Sequence, residues 1–217
     1  MNYLTHFYFF HQQNEPYYNC GLIFPDWLAM YDRGKFNKVL VSNNPLELKL
    51  TAGIECHLLG DRLFHGSDYF KQYTHGIKLI LERSTLNKDV FRFSFLSHVL
   101  LEMMIDRLLL TKKQDIGAQF YDNLSLCNED LLLYFAQRNS TVDERFVTVI
   151  QKFKHHKFIL NYTNTDAFVN SFCRTIGKVG IIFSEAQKKE VTELMSVIEK
   201  YIDESMSTLF LLFARHD

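Results

Sequence analysis

Phe93-Ser-Phe-Leu-Ser-His-Val-Leu-Leu-Glu-Met-Met-Ile-Asp-Arg-Leu-Leu-Leu110 is the most apolar stretch of the chain, and its reading decides the fold. Apolar residues fall on nearly every side of a 3.6-residue repeat, so a helix here is one that neighbours surround. His98, Glu102, Asp106 and Arg107 make it too polar for a lipid-exposed span, which places it in a protein interior. We expect a central helix from about Asp89 to Thr111 in an all-α protein.

The flanking sequence supports that class. Three prolines and nine glycines punctuate 217 residues, and apolar residues recur at three- and four-residue intervals, a helical rather than a strand pattern. Tyr3 to Phe10 reads as a strongly aromatic first helix. Asn44-Pro45 reads as an N-cap followed by proline at the first helical position, opening a helix that runs through Ile54, His57 and Asp61 and ends near Gly66-Ser67. Thr141-Val-Asp-Glu144 and Ser184-Glu-Ala-Gln187 both fit the capping box and start two later helices. The last is expected from about Glu185 to Ala214, with Val191, Leu194, Ile198, Ile202, Leu209 and Phe213 along its core-facing stripe. Repeats and Pro-rich linkers are absent and 47% of residues are hydrophobic, so residues 1–217 are expected to form one compact multi-helix domain.

Composition narrows the function classes. With 24 basic against 25 acidic residues the net charge is -1, which gives no global field for nucleic acid or an anionic membrane, and neither is expected as a partner. Cys20, Cys56, Cys127 and Cys173 form no CxxC pair, and the N-terminus shows no basic region followed by an apolar one. Free thiols in the cytoplasm are expected. No GxxxxGK[ST], GxSxG or GxGxxG motif is present, so local support for a nucleotide cradle or a serine-hydrolase elbow is lacking.

The chemistry is expected on two helices with the same polar spacing. His57, Asp61 and His65 follow i, i+4, i+8, as do His98, Glu102 and Asp106. Such a series stays within roughly 80° of the helix circumference, so each trio forms one seam, and the two seams are expected to face a shared cavity. Glu102 and Asp106 sit among leucines and methionines and are expected to be buried. A buried carboxylate must be protonated, matched to a cation or bound to metal. Arg107 points elsewhere on the helix, leaving Arg62, Arg92 or a metal as partner. Mixed imidazole and carboxylate ligands suit Mn²⁺, Fe²⁺ or Zn²⁺ better than an all-oxygen Ca²⁺ site. The competing reading is a hydrogen-bonded network that fixes packing. Asp26, directly after Pro25, reads equally as an N-cap or a ligand, His6 on its own as structural, and the consecutive His155-His156-Lys157 as a solvated face.

Met1-Asn-Tyr-Leu-Thr-His6, Gly21 through Asp26, Gly53-Ile54 with His57 and Asp61, and Glu102 through Asp106 together resemble the acyl-carrier-protein phosphodiesterase family across residues 1–112. The resemblance implies a helical fold like that of the HD-type phosphohydrolases. It also implies a divalent cation, typically Mn²⁺, and removal of 4′-phosphopantetheine from holo acyl carrier protein. Position by position it implies site roles for Asp26, His57, Asp61 and Asp106, with Glu102 standing where the family commonly has Asp. Leu58 and Leu59 stand where the family usually has two arginines, and His65 where it tends to have an acid. Those departures shift the expected substrate from the carrier protein toward another phosphoester.

The expectation is therefore a metal-dependent phosphodiester or phosphomonoester hydrolase. Asp26, His57, Asp61 and Asp106 are its principal ligands, His98 and Glu102 further ligands, and His65 the catalytic proton donor. The alternatives are a non-catalytic helical protein that binds a partner or ligand, and a different metal-dependent reaction such as an iron oxygenase.

Overall fold

Helices begin where side chains satisfy backbone donors. Asn44 Oδ1 accepts from the Leu46 amide at 2.9 Å, Pro45 opens the helix, and the chain remains helical for 22 residues to Gly66. Ser67, Asn128, Asn164 and Ser184 each accept from an amide in the first turn of the helix that follows. Ser184 and Gln187 complete the expected capping box. Each such cap contributes about 1 kcal/mol.

The computed structural model describes residues 1–32, 42–87 and 90–214. Its helices, in chain order, are α1 (Tyr3–Phe10), α2 (Pro16–Gly21), α3 (Phe24–Asp32), α4 (Pro45–Gly66), α5 (Asp68–Glu82), α6 (Phe93–Lys112), α7 (Ile116–Ser125), α8 (Glu129–Asn139), α9 (Arg145–His156), α10 (Thr165–Gly177), α11 (Glu185–Asp203) and α12 (Met206–Phe213). A 3₁₀ turn, Phe158–Thr163, precedes α10, and the described residues contain no strand, so the all-α class holds. Among them no helix is long and apolar enough to cross a membrane.

The chain divides into two compact units, residues 1–63 with 114–158 and residues 64–113 with 159–217. In unit 1, α1 and α2 pack on α7, while α3, α7 and α8 pack on α9. The core is aromatic: Phe7, Phe24, Trp27, Phe120, Phe135, Phe146 and Phe153 are buried. Their rings meet edge to face, Phe7 on Phe120 at 5.4 Å and Trp27 on Phe153 at 5.6 Å. The buried Asn19 clamps the chain before α2, bonding the Gln12 amide and carbonyl and the Asn123 side chain, each at 2.8 Å. α2 and α4 touch backbone to backbone at two glycines. A Cβ on Gly53 would stand 2.1 Å from the Tyr18 carbonyl oxygen, and one on Gly21 2.3 Å from that of Leu50.

Unit 2 is built round α6, which packs on α5, α10 and α11 and is buried over most of its length. Arg107 does point away from the acids of its own helix. Its guanidinium donates to the Tyr162 carbonyl at 2.5 Å and to Thr165 Oγ1 at 3.2 Å, pairs with Glu199 at 3.2 Å, and lies over the Phe168 ring. Its side chain is only 8% exposed, so the charge is matched where it is buried.

Three expectations about element ends are corrected. The central helix starts at Phe93, after Arg92 takes a positive φ of 22°; Asp89, where it was expected to begin, lies outside the described residues. The capping box at Thr141 does not form. The Asp143 carboxylate caps the Arg145 amide at 2.8 Å and grips the Arg145 guanidinium at 2.6 Å, and α9 begins at Arg145. The last helix is two helices. Ser205 Oγ donates to the Ile202 carbonyl at 2.6 Å and bonds Tyr69 Oη at 2.8 Å, and this local competition for a carbonyl, pinned by a buried tyrosine, ends α11. Along α11 Met195 is buried where Leu194 was expected.

Candidate metal centres

In unit 1, the Gly21–Gly53 contact brings the end of α2 against α4 one turn before His57. His57 Nδ1 meets the Leu22 carbonyl at 2.8 Å. A carbonyl can only accept, so Nδ1 carries the proton and Nε2 offers its lone pair, with Asp61 Oδ2 at 3.6 Å one turn further along α4. His6, on α1, stacks on the His57 ring with centroids 3.8 Å apart and planes at 16°. His6 Nε2 lies 3.1 Å from Asp61 Oδ1 without hydrogen-bond geometry, so neither ring nitrogen of this fully buried side chain makes a hydrogen bond. The Met1 amino group sits 2.5 Å from the same carboxylate oxygen.

Electrostatics sets the charge states. Burial first, then the neighbouring His57, lowers the His6 pKa from 6.5 to about 3, against the opposing pull of Asp61; His6 is a neutral imidazole near neutral pH. Burial disfavours the Asp61 carboxylate, but His6, the Met1 amino group and His57 outweigh it and hold its pKa well below the usual carboxylate range. The result is a neutral His6 and the His57 imidazole beside one carboxylate, with candidate ligand atoms within 4.8 Å of one another.

In unit 2, His98 and Glu102 occupy successive turns of α6, and His65 stands near the C-terminal end of α4. His65 Nε2 and His98 Nε2 are 3.2 Å apart, and each is 2.9 Å from Glu102 Oε1. Phe70 of α5 abuts both imidazoles edge to face at 4.9 Å, fixing their planes. Burial disfavours charge on Glu102, yet its hydrogen bonds from His65 and His98 help hold its pKa well below the ordinary value. This cluster is open: the His65, His98 and Glu102 side chains are 33%, 39% and 18% exposed.

The structure thus sorts the sequence-derived residues into two groups, each within its own unit. His57 and Asp61 converge with His6, and His98 and Glu102 with His65. Asp26 lies in the first turn of α3, inside the helix rather than at its N-cap, and Asp106 is wholly buried on α6; neither belongs to a metal-capable group among the described residues. Glu102 is met by the imidazoles of His65 and His98, each at 2.9 Å. His155 and His156 are exposed at the end of α9, as expected of a solvated face. From the sequence alone His6 reads as structural, and the structure instead sets it against His57 and Asp61. Spacing alone gives no reason to join it to residues 51 and 55 positions away. A surface cavity of about 390 Å³ in unit 2, lined by Asn170, Cys173, Arg174, Ile182, Phe183 and Lys188 among others, includes none of these six residues. Comparison of the chain with protein-family models, curated proteins and solved structures found no match.

Proposed function

We propose that this protein is a divalent-metal-dependent phosphoester hydrolase whose metal is held by His6, His57 and Asp61, with Mn²⁺ the ion of choice. The observation that carries the reading is His6: a buried, neutral imidazole with no hydrogen bond to either ring nitrogen, set against a carboxylate. Leaving such a group unsatisfied costs about 1–3 kcal/mol, a cost that a metal bond removes. His57 is oriented as metal-bound histidines commonly are, with its second nitrogen tied to a carbonyl. Two imidazoles and a carboxylate suit Mn²⁺, Fe²⁺ or Zn²⁺.

A divalent ion so held lowers the pKa of a bound water and polarises a phosphoryl oxygen. The chain's own residues then have distinct tasks. His57 presents Nε2 in a fixed tautomer, His6 presents a lone pair without a proton to remove, and Asp61 supplies negative charge. Asp61 is 31% exposed while His6 and His57 are buried, so a substrate approaches the cluster from the carboxylate side. We take the substrate to be a small phosphoester. Leu58 and Leu59, which follow His57, are about half exposed and offer an acidic carrier protein no cation. All four cysteines are free, which fits a reducing compartment such as the cytoplasm.

The test is hydrolysis of bis-p-nitrophenyl phosphate and p-nitrophenyl phosphate by metal-stripped protein resupplied with Mn²⁺. Activity is expected with Mn²⁺ and not with Ca²⁺. Asp61→Asn is expected to lower kcat/KM by more than the ~100-fold seen when an outer-sphere partner of a ligand is lost. The burial of His6 and His57 favours one second reading, a non-catalytic helical protein with a structural ion. Tight Mn²⁺ binding with no turnover of either ester would select it.

A further inference from the structure

We infer that His65, His98 and Glu102 form a second, solvent-accessible site for a first-row divalent transition metal, coordinated on one face and open on the other. The argument rests on a triangle of atoms. His65 Nε2, His98 Nε2 and Glu102 Oε1 are separated by 3.2, 2.9 and 2.9 Å, so each lies within hydrogen-bond distance of both others. With Glu102 ionised, no protonation state of the two imidazoles makes all three edges hydrogen bonds. If both Nε2 atoms carry protons, each donates to Oε1 and the two N–H groups abut as donor against donor. If one loses its proton, its lone pair faces the carboxylate lone pairs at 2.9 Å.

A cation capping the triangle engages three lone pairs at once. Around an ion with bonds of about 2.1 Å, ligands at right angles are separated by roughly 3.0 Å, and ligands in a tetrahedron by roughly 3.4 Å. The observed edges match the first, three adjacent corners of an octahedron. Two imidazoles and one carboxylate on a single octahedral face leave the opposite three positions for water or an exogenous ligand. The exposure of all three side chains provides that access, and Phe70 holds both rings in place without metal. The nitrogen ligands select Fe²⁺, Co²⁺ or Zn²⁺ over Mg²⁺ and Ca²⁺. All three side chains of this site lie within unit 2.

The probe is Co²⁺, whose visible d–d absorption reports nitrogen and oxygen coordination, titrated into full-length metal-stripped protein. In a His57→Gln background, which removes a unit 1 ligand, a saturable cobalt spectrum should persist. Adding His98→Gln or Glu102→Gln to that background should weaken cobalt binding at least about tenfold, with helical circular dichroism unchanged. A second readout uses the same His57→Gln background: substoichiometric Mn²⁺ should broaden the His65 and His98 ring resonances. A cobalt spectrum unaffected by His98→Gln and Glu102→Gln, or unbroadened His65 and His98 resonances at saturating Mn²⁺, overturns the inference. Failure of the unit 1 centre would appear differently, as cobalt stoichiometry unaffected by His57→Gln alone.

Discussion

The two units hold the same trio of side chains, two histidines and one carboxylate, in opposite settings. In unit 1 the imidazoles are stacked and buried, one of them titrating far below its usual range. In unit 2 the imidazoles meet at their nitrogen tips and are a third or more exposed. The difference teaches that ligand type alone does not define a site. Burial pre-sets the protonation state and fixes the ligands through the core, so the first cluster depends on the backbone packing that surrounds it. The second cluster stands at the surface, where the Phe70 ring abuts both of its imidazoles.

The largest effect that would separate them comes from Gly53→Ala. The new methyl would meet the Tyr18 carbonyl at 2.1 Å, and backbone cannot yield as a side-chain tip does. A loss of about 3 kcal/mol or more is expected in the denaturant transition followed by the fluorescence of Trp27, the single tryptophan and a buried residue of unit 1. Cobalt binding by His65, His98 and Glu102 should survive it. Should both centres fail together, the independence of the two clusters is wrong.

A smaller effect sharpens the contrast in charge state. The His6 pKa falls from 6.5 in the unfolded chain to about 3 when folded, so between those values the unfolded state binds the extra proton. Stability is then fully present above pH 6.5 and declines as pH falls toward 3. For metal-free protein the loss from pH 7 to pH 5 should be about 2 kcal/mol by Trp27 fluorescence. His6→Phe should flatten that slope, and an unchanged slope would place the proton uptake elsewhere. Asp61, whose pKa is also depressed, adds to the acid loss only at lower pH, below its ordinary value of 3.8.

The smallest effect tests the support of the open cluster. Phe70→Ala removes edge-to-face contacts to both imidazoles and to Phe64, and should cost about 1 kcal/mol in unfolding monitored by circular dichroism. Cobalt affinity at the unit 2 site should drop by about tenfold, in the range seen when the groups that orient metal ligands are lost. Wild-type affinity in this variant would show that the imidazoles need no such wall.

Local chemistry was legible in the sequence and long-range grouping was not. The bounds of α4, from Asn44-Pro45 to Gly66, follow from a cap and breakers within a few residues of each end. The split at Ser205 depends on Tyr69, a residue 136 positions away, and no local pattern announces it. At Thr141 the box does not form, because α9 starts later, at Arg145, whose amide donates to the Asp143 carboxylate at 2.8 Å. The site shows the same limit. The i, i+4 pairs His57–Asp61 and His98–Glu102 are properties of single helices and were readable. Their third members, His6 and His65, are supplied by tertiary packing; the shared spacing of His57, Asp61 and His65 gave no sign that the third would join a different group.

Helix α6 is enclosed along its C-terminal half: its residues from Met103 to Leu109 are all buried, and α5, α10 and α11 each lie against the helix. A helix enclosed in this way cannot fray or peel off alone, since any opening that frees it also strips the helices around it. The frame that carries His98 and Glu102 therefore keeps time with unit 2 as a whole. It persists for as long as the unit stays folded, while the exposed ends of the side chains it carries move on the far faster clock of solvent.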